Sequence, residues 1–212
     1  MKNILFIAPP AGGKGTIGEQ LEDEFGYEHV STGDLIREID EESEIGKQVQ
    51  KCMKVGKFVD DRIVLSLLKK KLLEMDNKPF ILDGFPRSIT QAKELDELFE
   101  KINKKIDLVI FIDIDYDTCL KRAIGRVSCP NCHETYNIFF RKPKIENVCD
   151  ECGTELVKRI DDNEESFEKR FKTYEKNTLP LVDFYKEKGI LVTVDKNNTY
   201  EKVRNEIKKW LL

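Results

Sequence analysis

Apolar and polar positions fall in blocks along this chain, and the period changes from block to block. Asn3-Ile4-Leu5-Phe6-Ile7 is a continuous apolar run that breaks into Pro9, Pro10, Gly12 and Gly13, the pattern of a buried parallel strand entering a loop. A helix follows from Ile17 to Phe25, with Ile17, Leu21 and Phe25 spaced by four. Glu28 to Ser31 reads as a short second strand. Residues 34–57 are polar and helical in flavour, with few large apolar anchors, which suits a lightly packed insertion. Val59-Asp60-Asp61 leads a strong helix that offers Ile63, Leu65, Leu67, Leu68, Leu72 and Leu73 to one face. Pro79 to Leu82 is a strand ending at Asp83, and Ile106 to Ile114 is another, rich in Ile. Residues 115–126 are helical. Phe167, Phe171 and Tyr174 keep helical spacing until Pro180, which kinks or breaks that helix. Ile190 to Val194 is the last strand, and Tyr200, Val203, Ile207 and Trp210 mark a final amphipathic helix. Strands alternating with helices predict an α/β fold around a parallel sheet.

Composition narrows the picture. The 212 residues suit one domain with insertions or two small ones. Lys and Arg number 36 against 40 Asp and Glu, a balance that argues against a nucleic-acid surface. No apolar run approaches the ~20 residues of a membrane span, and the apolar start is too short for a signal peptide. The expected location is the cytoplasm, with no membrane or nucleic-acid partner. Only nine of the 36 basic residues are Arg. In a chain that uses Lys by habit, each Arg marks a place where a planar, bidentate fork is wanted.

Three stretches carry chemistry. A strand, a Gly-rich loop, Lys14, Thr16 and a helix, in that order, build a cradle of N–H groups for phosphate. The strict phosphate-loop pattern fails twice, because Ala8 stands where its first Gly belongs and Gly15 separates Lys14 from Thr16. By itself the stretch is either a phosphate loop or an ordinary Gly-rich turn. Asp83-Gly84-Phe85-Pro86 is either a plain strand-ending turn or, with Arg87 and Gln91 behind it, a ligand site at a strand's carboxyl end. Cys129-x2-Cys132 and Cys149-x2-Cys152, 16 residues apart, form two knuckles with zinc spacing. A disulfide pair is the alternative, disfavoured in a reducing compartment. His133 and Asp150 beside the knuckles are stand-ins should a Cys be lost, while Cys52 and Cys119 are isolated. The knuckle region, 129–158, holds four basic and five acidic residues, too neutral for a phosphate-backbone reader.

Lys14-Gly15-Thr16 after its Pro/Ala/Gly loop, Ser31-Thr32-Gly33-Asp34-Leu35-Ile36-Arg37, and Leu82-Asp83-Gly84-Phe85-Pro86-Arg87 occur in that sequence. Together they make the chain resemble the adenylate kinases of the long-lid, zinc-carrying type, nucleoside monophosphate kinases, from residue 1 to about 207. The resemblance implies a three-layer P-loop core at 1–30, 61–125 and 164–212. It adds a helical monophosphate-binding insertion at 31–60 and a small zinc-stapled lid at 126–163. The implied reaction is reversible transfer from ATP-Mg²⁺ to AMP, giving two ADP, by a monomer. ATP would meet Ala11, Gly12, Gly13, Lys14, Gly15 and Thr16 in the loop. It would also meet Arg122, stacked on the adenine, with Arg126, Thr135, Tyr136 and Asn198. AMP would meet Thr32 at the purine, Arg37 at the phosphate, then Lys57, Phe58, Val59, Gly84, Phe85, Pro86 and Arg87. Gln91 would read the adenine edge with a donor and an acceptor, and Arg159 and Arg170 would complete the site.

The catalytic set implied is Lys14, Arg87, Arg126, Arg159, Arg170 and Asp83, the last orienting the waters of Mg²⁺. Zn²⁺ would sit on Cys129, Cys132, Cys149 and Cys152, in a lid whose closing excludes water. Arg62, Arg141 and Arg204 are left as surface charge. Asp161 and Asp162 match the family too, though helix N-capping before Glu164 would also explain them. The family usually has Gly where this chain has Ala8 and Ala11. If Ala11 adopts a left-handed conformation the cost is of order 1 kcal/mol; in an impaired loop, Gly at either position should raise the rate. The rival readings are a nucleotide-binding paralogue with an altered P-loop and a kinase of other donor or acceptor preference.

Overall fold

A computed structural model describes residues 1–40, 42–54, 59–75, 78–159, 162–195 and 200–211. Its strands, in chain order, are β1 (Ile4–Ile7), β2 (Glu28–Ser31), β3 (Phe80–Asp83), β4 (Leu108–Asp113), β5 (Arg126–Ser128), β6 (Thr135–Asn137) and β7 (Leu191–Asp195). Five of them form one sheet in the order β2-β3-β1-β4-β7, and every neighbouring pair is parallel. Helices cover both faces, which is why the central strands β1, β3 and β4 read as continuous apolar runs rather than alternating ones. The helices are α1 (Lys14–Phe25), α2 (Thr32–Arg37), α3 (Glu44–Lys54), α4 (Asp61–Glu74), α5 (Ile89–Lys101), α6 (Tyr116–Ile124), α7 (Glu164–Thr173), α8 (Leu181–Glu187) and α9 (Tyr200–Leu211).

β1 shows how one strand feeds two cores. Leu5 and Ile7 join Leu68, Leu72, Phe80, Leu95 and Phe99 on one side. Ile4 and Phe6 join Ile17, Leu21, Ile81, Val203 and Ile207 on the other. The architecture is therefore three layers, with α4, α5 and α8 on one face and α1 and α9 on the opposite one. The register sets Phe6 beside Asp83 and Ile110, and Ser31 beside Asp83, so the carboxyl ends of β2, β3 and β1 open on one edge. That edge is where open parallel sheets bind ligands.

Four details depart from the periodicity. α5 has no counterpart among the expected elements: its buried apolar anchors are Ala92, Leu95 and Phe99, set among charges, with Ser88 capping it by accepting from the Gln91 N–H. On α4 the buried positions are Val64, Leu68 and Leu72, while Leu73 is exposed. On α9 Val203 and Ile207 are buried but Trp210 faces outward. The break assigned to Pro180 begins earlier. α7 widens into a π-helical turn at Tyr174–Thr178, where the Leu179 N–H reaches the Tyr174 carbonyl (2.9 Å), and Pro180 merely starts α8.

The cysteine-bearing segment is a separate small sheet. β5 and β6 pair antiparallel, and Ser128 bridges to Val157. Its apolar cluster is Cys129, Tyr136, Cys149 and Leu156 with Val127 against it, too little to hold a fold alone.

Candidate active site

β1 ends at Ile7 and the chain turns through Ala8–Gly13 before α1. The Gly12 N–H donates to the Pro9 carbonyl at 3.0 Å and closes the turn. Ala11 (φ 56°) and Gly13 (φ 81°) both lie in the left-handed region, which glycine enters freely and alanine does not. Ala8 is buried and has no such conformation. A Cβ at Gly12 would fall 2.9 Å from the Pro9 carbonyl oxygen and 3.0 Å from the Ala8 Cβ. The Ala8 methyl thus fills space that glycine at 12 leaves open. Gly13, at the N-cap of α1, offers no side-chain acceptor, so the first-turn N–H groups are left for an anion.

Charge gathers at this loop. Lys14 Nζ lies 3.9 Å from Asp83 Oδ1 at the end of β3, and His29 Nε2 on β2 lies 3.7 Å from Asp83 Oδ2. At 3.7 Å the His29 contact is too long for a hydrogen bond, and it becomes an ion pair when the imidazole is protonated. Burial pushes the Asp83 carboxyl up, but Lys14 and then His29 outweigh it and hold it below the ordinary range. Burial depresses the Lys14 ammonium; Asp83 opposes this, while Arg87 and Arg170 add to it. Burial and then Arg170 likewise depress Arg87. Three cations, from α1, the β3–α5 loop and α7, therefore repel one another, two of them beside the half-buried Asp83 carboxylate. The Lys14 side chain keeps 19% of its surface, so the charge faces an opening. Excess positive charge beside a helix N-terminus is a receptor for a multiply charged anion.

Across the sheet edge, β2 runs straight into α2. Ser31 caps α2 by accepting from the Asp34 N–H, and buried Thr32 donates to the Asp83 carbonyl at 3.1 Å. Gly84 has φ 87°, and a Cβ there would fall 2.7 Å from Thr32 Oγ1, so the two strand ends close only over glycine. Arg37 turns back to pair with Asp34 and approaches Gly33. Arg87 donates from Nε to the Gly84 carbonyl at 2.6 Å. Its own carbonyl accepts from Thr178 at 2.9 Å, which is how the π-helical turn reaches the site. Phe85 is buried, and Val59 packs on the core beneath. The Gln91 amide is committed: its oxygen accepts from the Arg87 N–H (2.6 Å) and its nitrogen donates to Asp61 (2.6 Å). Gln91 therefore braces Arg87, with one amide hydrogen and one lone pair already spent.

Above the sheet edge, Arg126 forks onto Asp162, Nε to Oδ2 at 2.7 Å and an Nη to Oδ1 at 2.5 Å. Asp162 is fully buried and does not cap α7; Asn163 does, accepting from the Ser166 N–H. Arg159 is half-buried on the same loop, and its carbonyl accepts from the Asp162 N–H at 3.1 Å. The Arg122 guanidinium lies over the Phe140 ring, 5.7 Å from its centroid. The Tyr136 ring is buried in the small cluster, with its hydroxyl accepting from the Asp150 N–H at 2.8 Å. Any nucleotide contact at Tyr136 is thus left to its backbone. The Sγ atoms of Cys129, Cys132, Cys149 and Cys152 all lie within 4.8 Å of one another, with Cys129–Cys152 at 3.4 Å and Cys132–Cys149 at 3.5 Å. Zn–S bonds of about 2.3 Å in a tetrahedron put sulfurs about 3.8 Å apart, so the four fit a structural Zn²⁺. Asp150 instead accepts from the Lys144 N–H.

A family model described as "Adenylate kinase" matches residues 6–190. The adenylate kinase of Archaeoglobus fulgidus is 42% identical over 207 residues, 97% of this chain and 95% of that protein. Those of Petrotoga mobilis (40%; 96% and 94% of the two chains) and Caldanaerobacter subterraneus subsp. tengcongensis (41%; 99% and 96%) are similar to it over the same span. The chain belongs to the adenylate kinase family. Its reaction is the reversible transfer of a phosphoryl group between ATP and AMP, and its structural metal is Zn²⁺ on the four cysteines.

The loop, Asp83, Thr32, Arg87 and Arg170 lie together at the carboxyl ends of the strands. Lys57, Phe58, Asn198 and Asp161 lie outside the described residues. Four residues drawn into the site carry no motif of their own. His29 is found only through Asp83, Asp61 only through Gln91, and Thr178 only through Arg87. Asn137 is the fourth, donating to the Arg122 carbonyl at 2.9 Å. Among the described residues no helix is long and apolar enough to cross a membrane.

Proposed function

We propose that Lys14, Arg87, Arg126, Arg159 and Arg170 clamp the transferring phosphoryl group between two nucleotides. The mutual repulsion of Lys14, Arg87 and Arg170 beside Asp83 carries this reading. ATP lies with its phosphates on the loop Ala11–Thr16 and its adenine against Arg122, under a lid formed by 126–163. AMP lies against Thr32, Arg37, Val59 and Gly84–Arg87, in the pocket of the 31–60 insertion. An oxygen of the AMP phosphate attacks the γ-phosphorus in line. The bond from that phosphorus to the β-phosphate oxygen breaks, and both products are ADP. No protein nucleophile is needed; the chain's work is positioning and charge stabilisation. Mg²⁺ arriving with ATP offsets phosphate charge and keeps oxygen ligands and waters, which the ionised Asp83 carboxylate suits. The working unit is a monomer in the cytoplasm.

The test is ADP formation from ATP-Mg²⁺ with AMP, UMP, CMP and GMP supplied one at a time. Turnover confined to AMP supports the assignment. Turnover with another monophosphate but not AMP overturns the acceptor site. ATP binding without turnover on any acceptor points to an altered P-loop in a nucleotide-binding paralogue.

A further inference from the structure

Arg141 has the sequence context of a surface charge, and its side chain is 58% exposed. Its contacts are unusually complete for such a residue. The guanidinium donates to the Thr135 carbonyl at 3.0 Å and pairs with the Glu134 carboxylate at 2.6 Å. It also lies over the Tyr136 ring, 5.3 Å from the centroid. Its backbone closes the set: the Asn137 N–H donates to the Arg141 carbonyl (2.8 Å), and the Arg141 N–H to the Asn137 carbonyl (3.0 Å). One residue therefore touches Glu134 and every residue of β6. Glu134 in turn accepts the Cys129 N–H at its carbonyl (2.8 Å), so the brace runs into the first cysteine knuckle. A lysine could pair with Glu134, but it has no planar fork to bond a carbonyl and stack on a ring at once.

We propose that Arg141 is a positioning residue for the donor nucleotide, fixing the β6 backbone at Thr135–Tyr136 against which ATP is held. This rests on the reading of those two residues as donor contacts. Burial raises the Glu19 carboxyl on α1 most; His29 opposes it, Glu134 and Asp34 add to it and Arg141 opposes it, so the brace lies within electrostatic reach of α1. An exposed ion pair alone contributes little to stability. The effect belongs in donor affinity, where a misplaced strand is felt directly.

The experiment is steady-state kinetics of Arg141→Ala and Arg141→Lys, with Arg122→Ala as the donor-site control and a zinc assay on each protein. Losing hydrogen bonds of ordinary strength should raise the KM for ATP about three- to tenfold in Arg141→Ala. The KM for AMP and the zinc content should stay at wild-type values, and Arg141→Lys should recover part of the loss. A KM for ATP within about twofold of wild type overturns the brace, as does a parallel rise of both KM values with loss of zinc. If Arg122→Ala alone raises the KM for ATP, the brace fails and the donor site stands. If neither variant moves it, the donor reading falls with the brace.

Discussion

Ala11 and Ala8 look like the same departure and are physically opposite. Ala11 sits at φ 56° and bears a left-handed cost of about 1–2 kcal/mol; Ala8 is unstrained and buried against the space at Gly12. Ala11→Gly should therefore stabilise the protein by roughly 0.5–1 kcal/mol in urea melts, the gain being trimmed by the looser unfolded chain. Ala8→Gly should weaken it. Gly12→Ala should lower both stability and turnover, because its methyl meets Pro9 and Ala8, and adding Ala8→Gly should restore part of the loss. A Gly12→Ala protein as stable and active as wild type would sink this account. The loop's shape was legible in its Pro and Gly residues, but which alanine is strained was not. That depends on φ, which composition does not report.

At the scale of elements, the small sheet is the one that cannot stand alone. Two three-residue strands and a four-residue cluster give it little burial, so four thiolates on Zn²⁺ supply the remainder. Removing zinc with a chelator should speed amide hydrogen exchange across 129–157 while β1, β3 and β4 stay protected, and phosphoryl transfer should fall with it. Amides of 129–157 that remain protected after zinc is gone would contradict a structural metal. The knuckles were readable because ligand spacing is local. α5 was not, because its three apolar anchors are diluted by charge and its identity comes from packing on β3 and α8. The π-helical turn at Tyr174–Thr178 was hidden for a related reason: a widened turn serves Arg87, a residue far off in the chain.

For the molecule as a whole, the junction of β2, β3 and α1 joins folding to charge. His29 faces Asp83, Glu19 and Asp34; burial lowers its pKa, but these carboxylates, Asp83 first, carry it above the ordinary 6.5. A raised pKa means that protonated His29 favours the folded state. That contribution is complete below about pH 6.5 and fades as pH rises through the folded-state value. Asp83 works the other way, contributing above its ordinary 3.8 and losing its effect as acid protonates it below that. The stability gap between wild type and His29→Gln, from urea melts at pH 5.5 to 8.5, should accordingly shrink as pH rises. A gap that does not vary with pH would show that His29 acts by packing alone.

The parallel α/β plan, the Gly-rich turn between β1 and α1 and the zinc knuckles were all legible in the chain. Each is written within a few neighbouring residues: an apolar run, a Gly-rich break before a helix, two Cys-x2-Cys pairs. Packing alone sets Lys14, His29, Asp83, Arg87 and Arg170 in one place, spends the Gln91 amide on Arg87 and Asp61, and turns Asp162 onto Arg126 instead of a helix cap. The strand order β2-β3-β1 brings those carboxyl ends together, and a charged side chain's partner is chosen by that geometry. Periodicity tells which face a residue takes, but not what waits on the other side.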